Sequence, residues 1–272
     1  MKRMFALLAL IAAPVTAQQS SPEIVVEGRA VSPADARQYV TQITDTRQGQ
    51  IARFHRPVCP MAVGLPEDAN RKITARLRST VRSLGAELAP EQCDANLVVL
   101  VTEDSANRLA ELRRTRESWF HDLPPAEIDA LAAEKGAVRA WAVVSIRNED
   151  GERINEDGDK NVPRSMRVKS ASIIGRASRV DMEGAVVMIE QSAANGKSIG
   201  QIADYAAMRG LARTVPPKGG SIPSILMLFE AGASPVSGLT AWDINYLQAL
   251  YRLSGTESLS TARSRLSRGI TR

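Results

Sequence analysis

The sequence predicts an α/β protein with a mixed, mostly parallel sheet and crossover helices. Short apolar runs alternate with segments of 3.6-residue periodicity, which is the order of βαβ units. One run, "ANLVVLVTED" (95–104), is nearly continuous, as in a strand covered on both faces. Cys59 and Cys93 precede two of the runs, so adjacent parallel strands would bring their beginnings together under one disulfide.

The chain opens with a leader. Lys2 and Arg3 are followed by an apolar run from Met4 to Ala13, and Val15-Thr16-Ala17 fits the small-x-small cleavage rule, so residues 1–17 read as a signal peptide. The run is well short of the roughly 20 residues that span a bilayer. An exported protein, periplasmic or secreted, is therefore expected, in a compartment where the disulfide forms.

Residues 18–48 are polar and read as a flexible lead-in. Their one apolar burst, "SSPEIVVEGR", resembles the N-terminal box of some Gram-negative outer-membrane receptors, but the rest of the chain lacks the repeated alternating strands of a barrel. From 49 to 253 a single α/β domain is expected. "FHRPVCPMAVGL" is its first strand, and the helix after it sets Ile73, Leu77, Val81 and Leu84 on one face and stops at Gly85. The run 95–104 follows, then helices over "SANRLAELRRTRESWF" and "PPAEIDALAAEKG", the second with prolines at its start and glycine at its end.

"AVRAWAVVSIR" alternates as a strand, with Val138, Ala140, Ala142, Val144 and Ile146 on one side. In the charged loop beyond it, Asn155, Asp157 and Asp159 are spaced as in a calcium loop. Val168 stands where the bidentate glutamate is needed, so a solvated loop is expected. "SASIIGRAS" reads as a weaker outer strand, "GAVVMIEQS" as a core strand, and Ser198–Arg213 as an amphipathic helix. On that helix Asp204 and Tyr205 fall on the polar face, and Ile199, Ile202, Ala203, Ala206 and Gly210 on the apolar one. After the apolar turn "SIPSILMLF", Thr240 and Asp243 form the capping box of a helix whose face is Ile244, Leu247, Leu250 and Tyr251. Residues 254–272, rich in serine and arginine, read as a disordered basic tail.

Charge excludes one class of partner. The formal net charge is +5, but Lys2 and Arg3 belong to the leader and the tail has four arginines against Glu257. The body between is near neutral, without the basic footprint that nucleic acid needs.

The order of elements is similar to the N-terminal half of zincin metallopeptidases, the metzincin branch in particular. "SILM" (224–227) resembles the methionine turn under the zinc in that branch, and "LTAWDINYLQALY" (239–251) resembles the closing helix of matrixin and serralysin domains. The likeness spans 54–253 and implies H-E-x-x-H-x-x-G-x-x-H on the central helix, with histidines on the metal and glutamate on its water. In the best register, "ADYAAMRGLAR", Asp204 stands for the glutamate and Gly210 for the glycine, while the ligand positions hold Ala203, Ala207 and Arg213. Alanine cannot bind zinc and arginine repels it, so the resemblance implies a degenerate fold with a vestigial metal site and no cofactor.

His55 and His121, the two histidines of the chain, lie outside that helix and read as structural. Nucleophile elbows, phosphate loops and dinucleotide fingerprints are absent from the sequence. The expected role is non-catalytic binding of a peptide or envelope protein. Its rivals are a hydrolase built around Glu190, Asp204 and Tyr205, and a surface protein tethered through Arg263, Arg265, Arg268 and Arg272.

Overall fold

A computed structural model describes residues 31–46, 49–121, 123–153, 176–218, 222–232 and 236–271. The leader, residues 18–30, 47 and 48 of the lead-in, the calcium-like stretch at 155–159 with Val168, and Arg272 lie outside these residues. The elements run α1 (Pro33–Ile43), β1 (Pro60–Val63), α2 (Glu67–Ser83), β2 (Leu97–Thr102), α3 (Ser105–Thr115), a 3-10 turn (Glu117–Phe120), α4 (Pro125–Ala133), β3 (Val138–Asn148), β4 (Ser178–Glu190), α5 (Gln191–Ala194), α6 (Ile199–Ala212), a second 3-10 turn (Ile225–Met227), α7 (Ala241–Tyr251) and α8 (Leu259–Ile270).

Four strands form one sheet in the order β1-β2-β4-β3. β1, β2 and β4 are parallel, and β3 runs antiparallel to β4 at the edge. The sheet is therefore mostly parallel as expected, with β3 as the described strand at that edge; residues 170–175 of the expected outer strand lie outside the described residues. β4 starts at Ser178, taking in the last residue of that segment. Alternation within β3 is compatible with either direction, and its register with β4, from Val138↔Ile189 to Asn148↔Ser178, is antiparallel.

The expected disulfide is present: Cys59 and Cys93 are bonded ahead of β1 and β2, with Cα atoms 6.1 Å apart. Asn96 holds the same junction, accepting from the Cys59 amide (2.7 Å) and donating to Pro57 O (2.9 Å).

The two faces of the sheet are covered unequally. The larger core gathers α1, α2, α6, α7 and α8 with Leu97, Val99, Val187 and Ile189 of the sheet. The smaller, on the other face, joins Val98, Val186, Met188 and Trp141 to Leu109, Leu112, Phe120 and Leu131 of α3, the 3-10 turn and α4. Alternation along β3 sends Ala142 and Val144 to the first core and Trp141 to the second.

Two segments read as unstructured are helices packed on each other. α1 lies in the lead-in. Ser32 caps it by accepting from the Asp35 amide (3.1 Å), Pro33 opens it, and Ala36, Tyr39, Val40 and Ile43 form a buried stripe. α8 occupies the tail, with Ser258 as N-cap and Ala262, Leu266 and Ile270 buried. Both stripes have helical spacing, but each has only three or four apolar residues in polar company, so average composition hides them. Each is stable because the other, with α7, covers it.

A buried carboxylate joins these layers. Asp243, fully buried on α7, accepts at Oδ1 from Tyr39 Oη of α1 (2.7 Å) and Ser224 Oγ (2.6 Å). Its Oδ2 accepts from the amides of Ile225 (2.9 Å) and Thr240 (2.9 Å) and from the Thr240 hydroxyl (2.8 Å). The expected capping box is thus one part of a larger junction. Around it Tyr246, Leu247 and Leu250 face the core, whereas Ile244 is exposed.

Two outcomes are expected in urea unfolding. Asp243→Ala leaves several buried donors without an acceptor, each costing about 1–3 kcal/mol, so stability falls by roughly 3 kcal/mol or more, with Asp243→Asn intermediate. Reducing the disulfide, whose cysteines are 34 residues apart, lowers it by roughly 3–4 kcal/mol in the chain-entropy account.

Candidate functional site

The central helix is sealed. Ser198 and Gln201 form the capping box of α6, and every residue from Ile202 to Ala212 except Arg209 is buried. The polar face expected at Asp204 and Tyr205 does not exist, because α2, the second 3-10 turn and α7 surround the helix where solvent was expected. Gly210 shows how close the sheet lies: a Cβ there would come within 2.3 Å of Leu97 Cδ1.

The three positions matched to metal ligands contain no open site. Ala203 and Ala207 are buried in the larger core. Arg213 ends the helix in the left-handed region (φ 48°), and its Nη2 reaches both Asp45 Oδ2 (2.9 Å) and Glu127 Oε1 (2.9 Å). A guanidinium and two carboxylates therefore tie the helix terminus to α4 and to the end of α1. Among the described residues no group of three or more His, Cys, Asp or Glu side chains is arranged to hold a metal ion.

Asp204, Tyr205 and Glu190 each have their own partners, and no hydrogen bond or ion pair joins any two of them. Asp204 accepts from Arg76 at both oxygens (Nε and Nη2, 2.6 Å each) and from the Leu239 amide (2.8 Å), clamping α2 and the approach to α7 onto α6. This bidentate pair raises the Arg76 pKa further. Tyr205 packs edge-on against Phe229 (4.7 Å between centroids) and accepts from Arg209 Nη1 (2.9 Å). Burial pushes its hydroxyl above the usual tyrosine value, partly offset by Arg209. Glu190, at the end of β4, accepts from the Ser105 amide (3.1 Å) and hydroxyl, with Arg139 Nη1 3.7 Å away.

Open surface lies instead on the outer face and edge of the sheet. A cleft of about 230 Å³ is floored by Val98, Val143 and Val186 and walled by Trp119 and Trp141, with Arg56 and Glu183 at one side. Trp141 stacks on Phe120 (5.1 Å) and donates from Nε1 to Trp119 O (2.8 Å), which fixes the wall. Beyond Trp119 a second groove of about 620 Å³ runs over Met61, Val63 and Leu100 beside α3. Met61 is among the few exposed large apolar residues.

The edge beside the cleft has a defined polarity. Glu190 donates its amide to Ala137 O and Ala185 donates to Asn96 O. By alternation Arg139 and Trp141 bond to β4, so the backbone groups of Val138, Ala140 and Ala142 face outward. Among the described residues, no strand pairs with that edge; one isolated bridge, Arg147 with Arg153, touches its far end.

A charged cluster sits where β3 and β4 meet the chain before β1. Glu183 accepts from Ser145 Oγ, Arg147 and Arg56, with Arg153 Nη2 3.6 Å away. Burial would raise its carboxyl, yet the Ser145 hydrogen bond and Arg147 hold it below its ordinary value. His55, its side chain mostly buried, places Nε2 3.7 Å from Asp181 Oδ1, which Arg179 Nε also contacts at 2.8 Å. Burial, with Arg53 and Arg179 nearby, lowers His55 to about 3. Burial raises Asp181, partly offset by Arg179. His121 is exposed at the end of the first 3-10 turn.

Neither Trp119 nor Trp141 was singled out from the sequence as a functional residue. The scarcity of tryptophan, three among eleven aromatic residues in a 272-residue chain, was the available signal. No protein-family model, curated protein or solved structure matches the chain.

Titration of His55 supplies a test of the charged cluster. Between pH 6.5 and about 3 the unfolded chain holds a proton on this residue that the folded chain does not, so stability is present above pH 6.5 and is lost as pH falls through that window. Asp181 acts in the opposite sense, recovering part of the loss as pH approaches its unfolded value of 3.8. In urea titrations from pH 7.0 to 4.5, His55→Gln flattens the decline relative to the unmutated protein; parallel curves would show that His55 is charged in the fold.

Proposed function

We propose that this chain is an exported, non-catalytic, zincin-like domain that binds an extended segment of another envelope or secreted protein by adding it to the outer edge of β3. The observation that carries this reading is the outward-facing backbone of residues 138–142 beside a cleft walled by Trp119 and Trp141. Strand addition takes its affinity from main-chain hydrogen bonds and its selectivity from pockets for alternate side chains. Side chains of an added strand on the outer face would stand next to Trp141 and Val143 and reach the cleft.

The zincin likeness rests on the motifs at 224–227 and 239–251, the mixed sheet with an antiparallel edge strand, and the burial of a helix behind it. A non-catalytic role is supported by the methyl groups at 203 and 207 and the paired guanidinium at 213. Periplasmic or secreted placement is supported by the leader and by a disulfide that persists in oxidising compartments. Among the described residues no helix is long and apolar enough to cross a membrane.

The test is selection from a phage-displayed random peptide library on the mature protein, then titration calorimetry with the enriched peptides. Ala140→Pro removes an outward amide and leaves the β4 ladder intact. It is expected to weaken binding at least tenfold with unchanged circular dichroism, as is Trp119→Ala for peptides with a large apolar side chain. Failure to enrich any peptide, or equal affinity in Ala140→Pro, would count against the edge.

A further inference from the structure

The cations of the chain's end are not spread over a loose tail. α8 lies along α1, and between them is a cleft of about 330 Å³ whose lining includes Arg37 and Thr41 from α1, Arg263, Ser264 and Arg268 from α8, and Thr271 just after it. Spacings of four residues, 37 to 41 on one helix and 264 to 268 on the other, turn these side chains along facing ridges. Among the described residues no carboxylate lines the cleft, and Arg37, Arg263 and Arg268 form no ion pair with a described acid. By contrast Arg265, on the same helix, is held by Glu257 at 2.7 Å.

Three arginines thus line one cleft that no described acid enters. Arg37 and Arg268 bond through Nε to carbonyls of their own helices, Pro33 O (3.0 Å) and Ser264 O (3.4 Å), which steadies each stem; no described hydrogen bond engages their Nη groups. Arg263 has a buried Nε with no hydrogen-bond partner. Guanidinium groups match phosphate oxygens in paired geometry, and hydroxyls add neutral donors. The volume is about ten times the 30 Å³ share of one water in the liquid, so it admits a phosphate together with the group that bears it.

We propose that the α1–α8 cleft binds a phosphate-bearing ligand through Arg37, Arg263 and Arg268. The site is separate from the edge of β3 and does not depend on it. Its ligand is either a soluble phosphate ester or the headgroup of an anionic lipid, sources with the same recognition chemistry.

The experiment uses the mature chain. Glycerol 3-phosphate and inorganic phosphate are titrated by calorimetry, and sedimentation is measured with phosphatidylcholine vesicles with and without phosphatidylglycerol. Saturable heat with glycerol 3-phosphate assigns a soluble ester, and pelleting only with phosphatidylglycerol assigns a headgroup; either supports the proposal. Arg37→Gln, at an exposed position, and the double variant with Arg263→Gln are expected to weaken binding at least tenfold while keeping their circular dichroism. Arg113→Gln, an exposed arginine of α3, should change it less than twofold. The proposal is overturned if neither probe nor vesicle binds, if Arg37→Gln binds as the unmutated protein does, or if Arg113→Gln weakens binding equally.

Discussion

A single buried carboxylate organises the half of the molecule that holds the central helix in place. Asp243 accepts five hydrogen bonds from α1, the turn before the second 3-10 segment and the start of α7. A carboxylate removed from water is stable only with its acceptor capacity filled. Filling it here requires three segments far apart in sequence to arrive together. Tyr39 then packs edge-on against Trp242 and Tyr246, so the polar junction sits inside an aromatic one. Those rings position α1, and α1 in turn covers α8.

Burial of α6 follows from that arrangement. With α2 clamped through Arg76 and Asp204, and α7 held through Asp243, nothing on α6 between Ile202 and Met208 reaches solvent. Alanine at 203 and 207 suits such a position because it fills space without a polar atom to satisfy. Arg213 compensates at the exit, where its left-handed backbone and paired guanidinium turn the chain toward Thr214, which bridges to Thr44. The residues that the resemblance places at a metal site on this helix thus serve packing and clamping, and open surfaces lie elsewhere, among them the edge of β3, the two grooves flanking Trp119, and the cleft between α1 and α8.

Charge is handled differently in different places. Around Asp181 and Glu183, arginines from β3, β4 and the chain before β1 neutralise buried carboxylates. Along the α1–α8 cleft, arginines meet hydroxyls and no described acid. Net charge alone distinguishes neither, since it sums over cations that have partners and cations that do not.

The sequence by itself determined the elements whose causes are local. The stripe of Ile73, Leu77 and Val81, the apolar run of β2, the box of Thr240 with Asp243 and the pairing of the two cysteines were all legible, because each depends on neighbours a few residues away or on elimination. Whether α1 and α8 are helices was not, although Ala36, Tyr39, Val40 and Ile43 have the spacing. Marginal stripes become stable only against a partner, and the partner lies more than two hundred residues away. The direction of β3 was also beyond reach, since parallel and antiparallel pairing satisfy the same alternation. Tertiary structure alone decided that Asp204 meets Arg76, that Trp119 and Trp141 border one cleft and that Arg37 faces Arg263 across another. Such contacts are set by which surfaces meet when the two cores close, and periodicity within one segment carries no information about the segment opposite.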